Sequence, residues 1–261
     1  MVPKKDSITR GAATAAILAP ALLIGLDLTD GATRPGYQLT RHWISHLSLG
    51  DRGWLGTVKL VAAGLLIVAV AFGLRDRAKP LNATPRGATW RPVALAGLAL
   101  LAAAAFPIDP GLGYPPGASG QQTWHGGLHD LAGLVVVVAL AVTAWRLGRD
   151  LDADSATVRA ISHTGQRADA GAEPTGDSTN TTTAGDIGAP ADTDARPARW
   201  RKLGRGVAAL VVAAFLTCAT LVTLDHAGLV TGAPGGLFER IAVYAGIAWL
   251  GVASARLLTR P

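Results

Sequence analysis

Residues 124–145 read WHGGLHDLAGLVVVVALAVTAW. The second half of this stretch, from Leu134, is an uncharged run rich in Val, Leu and Ala, and the apolar segment extends back to about Leu128. An α-helix rises about 1.5 Å per residue, so such a run is close to the length that crosses about 30 Å of hydrocarbon. Five further runs of similar length surround it, at Gly11–Leu28, Trp54–Leu74, Pro92–Ile108, Val207–Leu224 and Ile241–Leu257. A soluble helical protein rarely carries even one. The pattern therefore predicts an all-α integral membrane bundle of six transmembrane helices, arranged as three helical hairpins, with the lipid bilayer as its first partner. The first run follows Lys4, Lys5 and Arg10 as a signal peptide would, but charge rather than small residues follows it, so it reads as a retained helix with a tolerated Pro20.

Charge sets the expected orientation. Lys4, Lys5 and Arg10 precede the first run, Arg75, Arg77, Lys79, Arg86 and Arg91 follow the second, and Arg146, Arg149, Arg199, Arg201, Lys202 and Arg205 flank the connection after the fourth. The other connections carry few basic residues. The positive-inside bias places both termini in the cytoplasm of a multi-pass cell-membrane protein. It also accounts for the net charge of +6 without nucleic acid, since contact with anionic headgroups suffices. Trp54, Trp90, Trp124, Trp145 and Trp200 fall at run boundaries, where amphipathic rings prefer the interface. The single Cys218 lies inside the fifth run, which excludes an internal disulfide and suits a small packing residue.

One membrane domain with an insertion follows. Residues 1–149 hold the first four helices and residues 200–261 the last two. Residues 150–199 include ADAGAEPTGDSTNTTTAGDIGAPADTDARP, too poor in large apolar side chains to offset the entropy of ordering, and are expected to form a disordered cytoplasmic loop. The Asn82 and Asn180 sequons lie on the inner side by this topology.

Function is sought at the opposite face. The three outward-going helices end in GLDLTDGATRPG, PIDPGLGYPPG and TLDHAGLVTGAPGG, each with an aspartate (Asp27, Asp109, Asp225), a glycine soon after, and Pro-Gly beyond. A carboxylate at a helix C-terminus opposes the macrodipole and near a bilayer needs a partner, so cations are expected beside them: Arg34, Arg41, Arg52, Arg240 or histidines. Five of six histidines (His42, His46, His125, His129, His226) fall on this face. His42 and His46, and again His125 and His129, stand four apart, which stacks imidazoles on one helix face as a metal site requires. Lys59, inside the second run, is expected to snorkel outward.

The pieces RPGYQLTRHWISHLSLGDRGWLG, FPIDPG, GGLHDLAG and GLFERI, in this order, resemble the domain of unknown function 998 family of prokaryotic membrane proteins. The resemblance implies six transmembrane helices and no assigned activity. It singles out Tyr37, Ser45 and His129, and makes Arg240 the expected partner of Asp109. A more distant similarity, to the alkaline-ceramidase and adiponectin-receptor superfamily, implies zinc held by His46, His125 and His129. On that analogy Asp109 orients a metal-bound water and Ser45 holds the oxyanion, as catalytic residues of a lipid ester or amide hydrolase.

The leading expectation is an outward-facing polar site for a small ligand or lipid headgroup, formed by Tyr37, Arg41, Ser45, Ser48, Asp109, His129 and Arg240. In it Arg34, Arg41 and Arg240 pair with Asp27, Asp109 or Glu239. The metal-dependent hydrolase and a small transporter are the alternatives.

Overall fold

Long runs of Ala, Leu and Val, with proline confined to helix ends and to position 20, leave the chain little choice but helix. The computed structural model describes residues 4–78, 88–170 and 198–259. These form six helices: α1 (Lys4–Thr33), α2 (Gly53–Ala78), α3 (Trp90–Ala105), α4 (Trp124–Ala170), α5 (Arg199–His226) and α6 (Gly235–Thr259). A short 3-10 helix, Ile44–Ser48, lies between α1 and α2. Among the described residues the structure is all-α.

Five of the six helices, all but α3, are long and apolar enough to cross a membrane. Helix α3 has 16 residues, about 24 Å at the helical rise. The apolar run that predicts it continues to Ile108, but Phe106 has left the helix at φ −105° and ψ 111°. The cause is Pro107, which pushes the residue before it out of the helical region.

Helix α4 departs from expectation in the other direction. It runs to Ala170, well past Asp150, where the sequence reading begins the loop. The acids of its extension have partners that hold it. Asp150 accepts from the Thr89 hydroxyl at 2.6 Å, and Asp154 pairs with Arg77 at 3.3 Å. Asp152 accepts the Trp200 and Arg201 amides at 3.2 and 2.9 Å, capping the first turn of α5. Residues 171–197, the rest of the expected loop, lie outside the described residues, as does the Asn82 sequon.

Each helix packs on its chain neighbour, α1 closes the ring on α6, and α4 also meets α6. In lipid no hydrophobic effect drives helices together, so close backbone approach matters more. Small residues supply it. A Cβ on Gly64 of α2 would lie 2.9 Å from the Gly97 carbonyl oxygen of α3, and one on Gly204 of α5 only 3.0 Å from Gly148 Cα of α4. A Cβ on Gly251 of α6 would lie 2.9 Å from the ring of Pro20, so the kink-prone proline of α1 is packed against a glycine. Ala16, Ala19, Leu23, Ile67, Val93, Leu140, Ile247 and Leu250 fill the centre. Leu18, Leu65, Phe72, Leu98, Val138, Leu216 and Val252 point outward and are exposed, as suits lipid-facing positions.

Candidate functional site

Helices α1, α3 and α5 finish at the same end of the bundle as five of the six histidines. The connection from Arg34 to Arg52 does not lie over this end as a surface loop. It drops between helices, because α2 and α6 begin with glycines that admit it. A Cβ on Gly236 would overlap the His42 carbonyl, and one on Gly56 would lie 2.5 Å from the Leu47 carbonyl oxygen. Its backbone is then paired to α6: Gly236 N donates to Arg41 O at 3.2 Å and Leu237 N to Thr40 O at 2.8 Å.

A buried charge cluster anchors the same connection. Asp27, fully buried in α1, receives Lys59 Nζ of α2 at 3.1 Å, Arg240 Nε of α6 at 2.9 Å, and the Tyr244 hydroxyl. Arg240 also donates to the carbonyls of Leu39 (2.5 Å), His42 (2.8 Å) and Gly236 (3.0 Å), and to the Tyr37 hydroxyl. Tyr37 in turn donates to Trp43 O at 2.8 Å. Glu239 accepts the Ile44 amide at 2.8 Å. Burial, reinforced by the acids nearby, raises the Tyr37 hydroxyl well above its ordinary pKa, so it remains a donor.

These contacts correct two expectations. Lys59 does not snorkel; it is 2 % exposed and paired. Arg240 meets Asp27 and not Asp109. The signal for both lay in depth: Asp27 stands six residues before the end of α1 and Lys59 six after the start of α2, so an antiparallel hairpin brings them level.

The remaining charges form separate groups. Asp30 holds Arg34 (2.5 Å) and Arg52 (2.6 Å), and Arg34 also donates to Leu49 O at 2.8 Å and Arg52 O at 2.9 Å. Arg41 meets Asp225 at 3.3 Å. Asp109 accepts the Thr123 amide at 2.6 Å and hydroxyl at 2.7 Å, while Thr123 Oγ1 accepts the Gly126 amide at 3.1 Å, which caps α4. Desolvation works against ionising Asp109, but the two Thr123 hydrogen bonds outweigh it and hold the carboxyl below its usual range.

The zinc set does not assemble. His125 Nδ1 is engaged by Thr123 Oγ1 (2.8 Å) and Pro107 O (3.2 Å), and His129 Nδ1 by Ala103 O and Phe106 O, both at 2.8 Å. Among the described residues no group of three or more His, Cys, Asp or Glu side chains is placed to hold a metal. Asp109, committed to Thr123, is not disposed to orient a metal-bound water. Ser45 lies half-buried on the 3-10 helix. The structure thus brings Tyr37 and Arg240 into one cluster and leaves Arg41, Asp109 and His129 in others.

A second group packs beside the charge cluster. Tyr37, His42, His46 and Tyr114 form a ring cluster with centroids 5.3–6.2 Å apart, and Trp43 stacks on His46 at 5.2 Å. His42 Nδ1 accepts the Gln38 amide at 2.9 Å, so its proton is on Nε2, which donates to Leu112 O at 3.2 Å. His46 Nδ1 accepts the Trp43 amide at 3.3 Å, so it too carries its proton on Nε2. Burial lowers both pKa values; His46, with the charges of His42, His129 and Arg240 added, is pushed down to about 3 and is neutral at pH 7.

That His46 Nε2 has no partner. It is one of seven buried, unpartnered side-chain polar atoms among the described residues, and five of the seven lie in residues 34–48: Arg34 Nε, Arg41 Nε, Trp43 Nε1, His46 Nε2 and Ser48 Oγ. Three of these five are obligate donors, and His46 Nε2 is a fourth donor in the tautomer above. Sequence reasoning singled out Arg41, His46 and Ser48 but missed Trp43, whose position within the first connection was the available signal.

No curated protein and no solved structure matches the chain. The profile described as "Protein of unknown function (DUF998)" matches residues 17–165, more than half of the 261 residues, and the chain belongs to that family.

Proposed function

We propose that this is a six-span protein of the cell membrane with both termini in the cytoplasm, and that its histidine-rich end binds a small, acceptor-rich ligand at the outer face, a lipid phosphate headgroup being the leading class. The observation that carries this reading is the concentration of buried, unpartnered donors in residues 34–48. A buried polar group without a partner costs about 1–3 kcal/mol, and native proteins keep few. Five within fifteen residues of one connection, beside a charge cluster that fixes the backbone holding them, mark a place prepared for acceptor atoms from outside the chain. Basic residues bias the other end toward the cytoplasm, in support of the orientation. Helix α3 serves as the remaining span if it meets a locally thinned bilayer, a modest cost for a deficit of a few ångströms.

The test is thermal unfolding of the full chain in neutral detergent, with and without added phosphatidylmethanol, an anionic phosphodiester lipid without a headgroup hydroxyl. Ligand bound only by the native state raises the melting temperature by mass action, by a few degrees at saturating lipid. The rise should shrink in a double Arg41→Gln, Ser48→Ala variant. An unchanged rise in that variant, or no rise in the native chain, removes the proposal.

A further inference from the structure

The donors in residues 34–48 are buried, so a ligand meets them only after a neighbouring segment moves aside. The bonds around this connection show which neighbours are fixed. Toward α6, the Arg41 and Thr40 carbonyls accept the Gly236 and Leu237 amides, Arg240 holds the Leu39 and His42 carbonyls, and Glu239 accepts the Ile44 amide. Toward α2, the connection is wedged against Gly53 and Gly56, where an added Cβ would overlap the Ser48 and Leu47 carbonyls.

A third neighbour is the tip of the α3–α4 connection, and its contact is mostly packing. Tyr114, 4 % exposed, sets its ring among Tyr37, His42 and His46, with centroids 5.3, 5.3 and 6.2 Å away. Pro116 rests on Gly36, where a Cβ would lie 2.6 Å from the proline ring and φ is 73°, so both the space and the backbone call for glycine. Gly111 lies over the unpartnered His46 Nε2, with 3.6 Å between that atom and an added Cβ. His42 Nε2 donates to Leu112 O at 3.2 Å.

The tip is built to move as one piece. Gly111 and Tyr114 exchange two backbone hydrogen bonds, at 3.1 and 3.0 Å, around Leu112 and Gly113, both at positive φ as in a tight hairpin turn. Its feet are joined where Asp109 accepts the Thr123 amide and hydroxyl. Between tip and foot, residues 116–122 are exposed, with Gly117 at φ 80° in this arm. A rigid tip seated by packing, on a closed base and an exposed arm, costs less to lift than segments bolted by many hydrogen bonds.

We propose that this tip is a lid on the ligand site, shut in the structure with Tyr114 seated, and lifted to admit acceptor atoms to His46 and the donors beside it. This rests on the binding proposed above and adds the route by which the site fills. Because the shut form does not bind, its population lowers the apparent affinity, and a change that unseats the tip tightens binding. A merely structural role for Tyr114 has the opposite sign, since loss of a packed ring loosens the site.

The experiment measures the affinity of the full chain in neutral detergent for phosphatidylmethanol. Tyr114→Ala, which removes the contacts with all three rings, should bind about tenfold more tightly than the native chain. Pro116→Ala should tighten binding about twofold. Pro116 is exposed, so this variant decides the question if Tyr114→Ala does not fold. Leu147→Ala, fully buried further along α4, should lower the melting temperature and leave the affinity unchanged, which separates unseating from general destabilisation. Affinity that is unchanged or weaker in both Tyr114→Ala and Pro116→Ala overturns the lid while leaving the binding in place. Tightening by Leu147→Ala equal to that of Tyr114→Ala overturns it too. No binding by the native chain removes the underlying function, and the lid with it.

Discussion

The ends of α1, α3 and α5 carry nearly the same local sequence, an aliphatic residue, an aspartate, glycine soon after and Pro-Gly beyond, yet the three aspartates meet three different fates. Asp27 is fully buried and takes three donors from α2 and α6. Asp109 is tied within its own hairpin to Thr123, whose hydroxyl caps the next helix. Asp225 is bound to Arg41, which is part-exposed, and to the Gly232 amide at 3.1 Å across its own turn. Local pattern fixes that a carboxylate ends each helix. What the neighbouring segments offer decides whether it becomes an anchor between helices, a support for a helix cap or a contact with a part-exposed arginine. The differing cost of disturbing each one follows.

The anchor should be the most expensive to break. Arg240 shares Asp27 with Lys59 and Tyr244 and holds three carbonyls, and Arg240→Ala would leave those carbonyls without this donor and Asp27 with Lys59 as its remaining cation. Removing one partner of a buried ion pair costs up to roughly 3–5 kcal/mol when the other charge is left uncompensated, and Lys59 beside Asp27 keeps the cost below that ceiling. Arg240→Ala should therefore melt far below the native chain in detergent, whereas Arg205→Ala, at an exposed position on α5, should melt within about a degree of it. Equal melting temperatures for the two variants would show that the cluster holds nothing together.

Next comes the ring cluster beside the anchor, whose sensitivity should appear as a pH dependence. His46 is held neutral in the folded state down to about pH 3, while an unfolded histidine binds a proton near 6.5. Between these values the unfolded state binds more protons, so stability is complete above pH 6.5 and is lost as pH falls through the window. From pH 7.5 to pH 5 this single group should remove about 2 kcal/mol. His46→Phe should lose that share of the slope while His42, shifted in the same direction, keeps its own. Parallel curves for the native chain and the variant would show that His46 titrates normally.

How much of this the sequence disclosed follows the same division between local and tertiary causes. The helices were legible because uniform apolar runs need no partner to declare themselves; only the end of α3, cut at Pro107, and the extension of α4 through Asp150, Asp152 and Asp154 differed. Gathering of histidine, carboxylate and arginine at one end was legible from topology. Pairing was not. Arg240 suited Asp109 equally well until α6 was seen against α1, and Lys59 looked like a snorkelling residue until Asp27 was found level with it. The metal set rested on i, i+4 spacing, which places two rings on one face but does not turn their nitrogens, and here His125 and His129 turn Nδ1 toward different acceptors.

The contact with the part-exposed arginine is the weak end of the comparison. The Arg41 side chain is 31 % exposed against 8 % for Asp225, so water and salt reach their 3.3 Å contact from the arginine side. Pairs of this kind contribute at most about 1 kcal/mol, and less as ionic strength rises. Asp225→Ala should therefore lower the melting temperature less than Asp109→Ala, which removes both acceptors from Thr123 at the start of α4, at a cost near 1 kcal/mol or somewhat above. Salt separates the two further: 0.5 M sodium chloride should shrink the Asp225→Ala effect and leave that of Asp109→Ala nearly intact, since a short hydrogen bond to a cap is screened less than an ion pair whose arginine is part-exposed. If Asp225→Ala proves the costlier of the two at either ionic strength, the part-exposed Arg41 does not weaken the pair here, and the ranking of the three hairpin ends by the partners each aspartate finds fails with it.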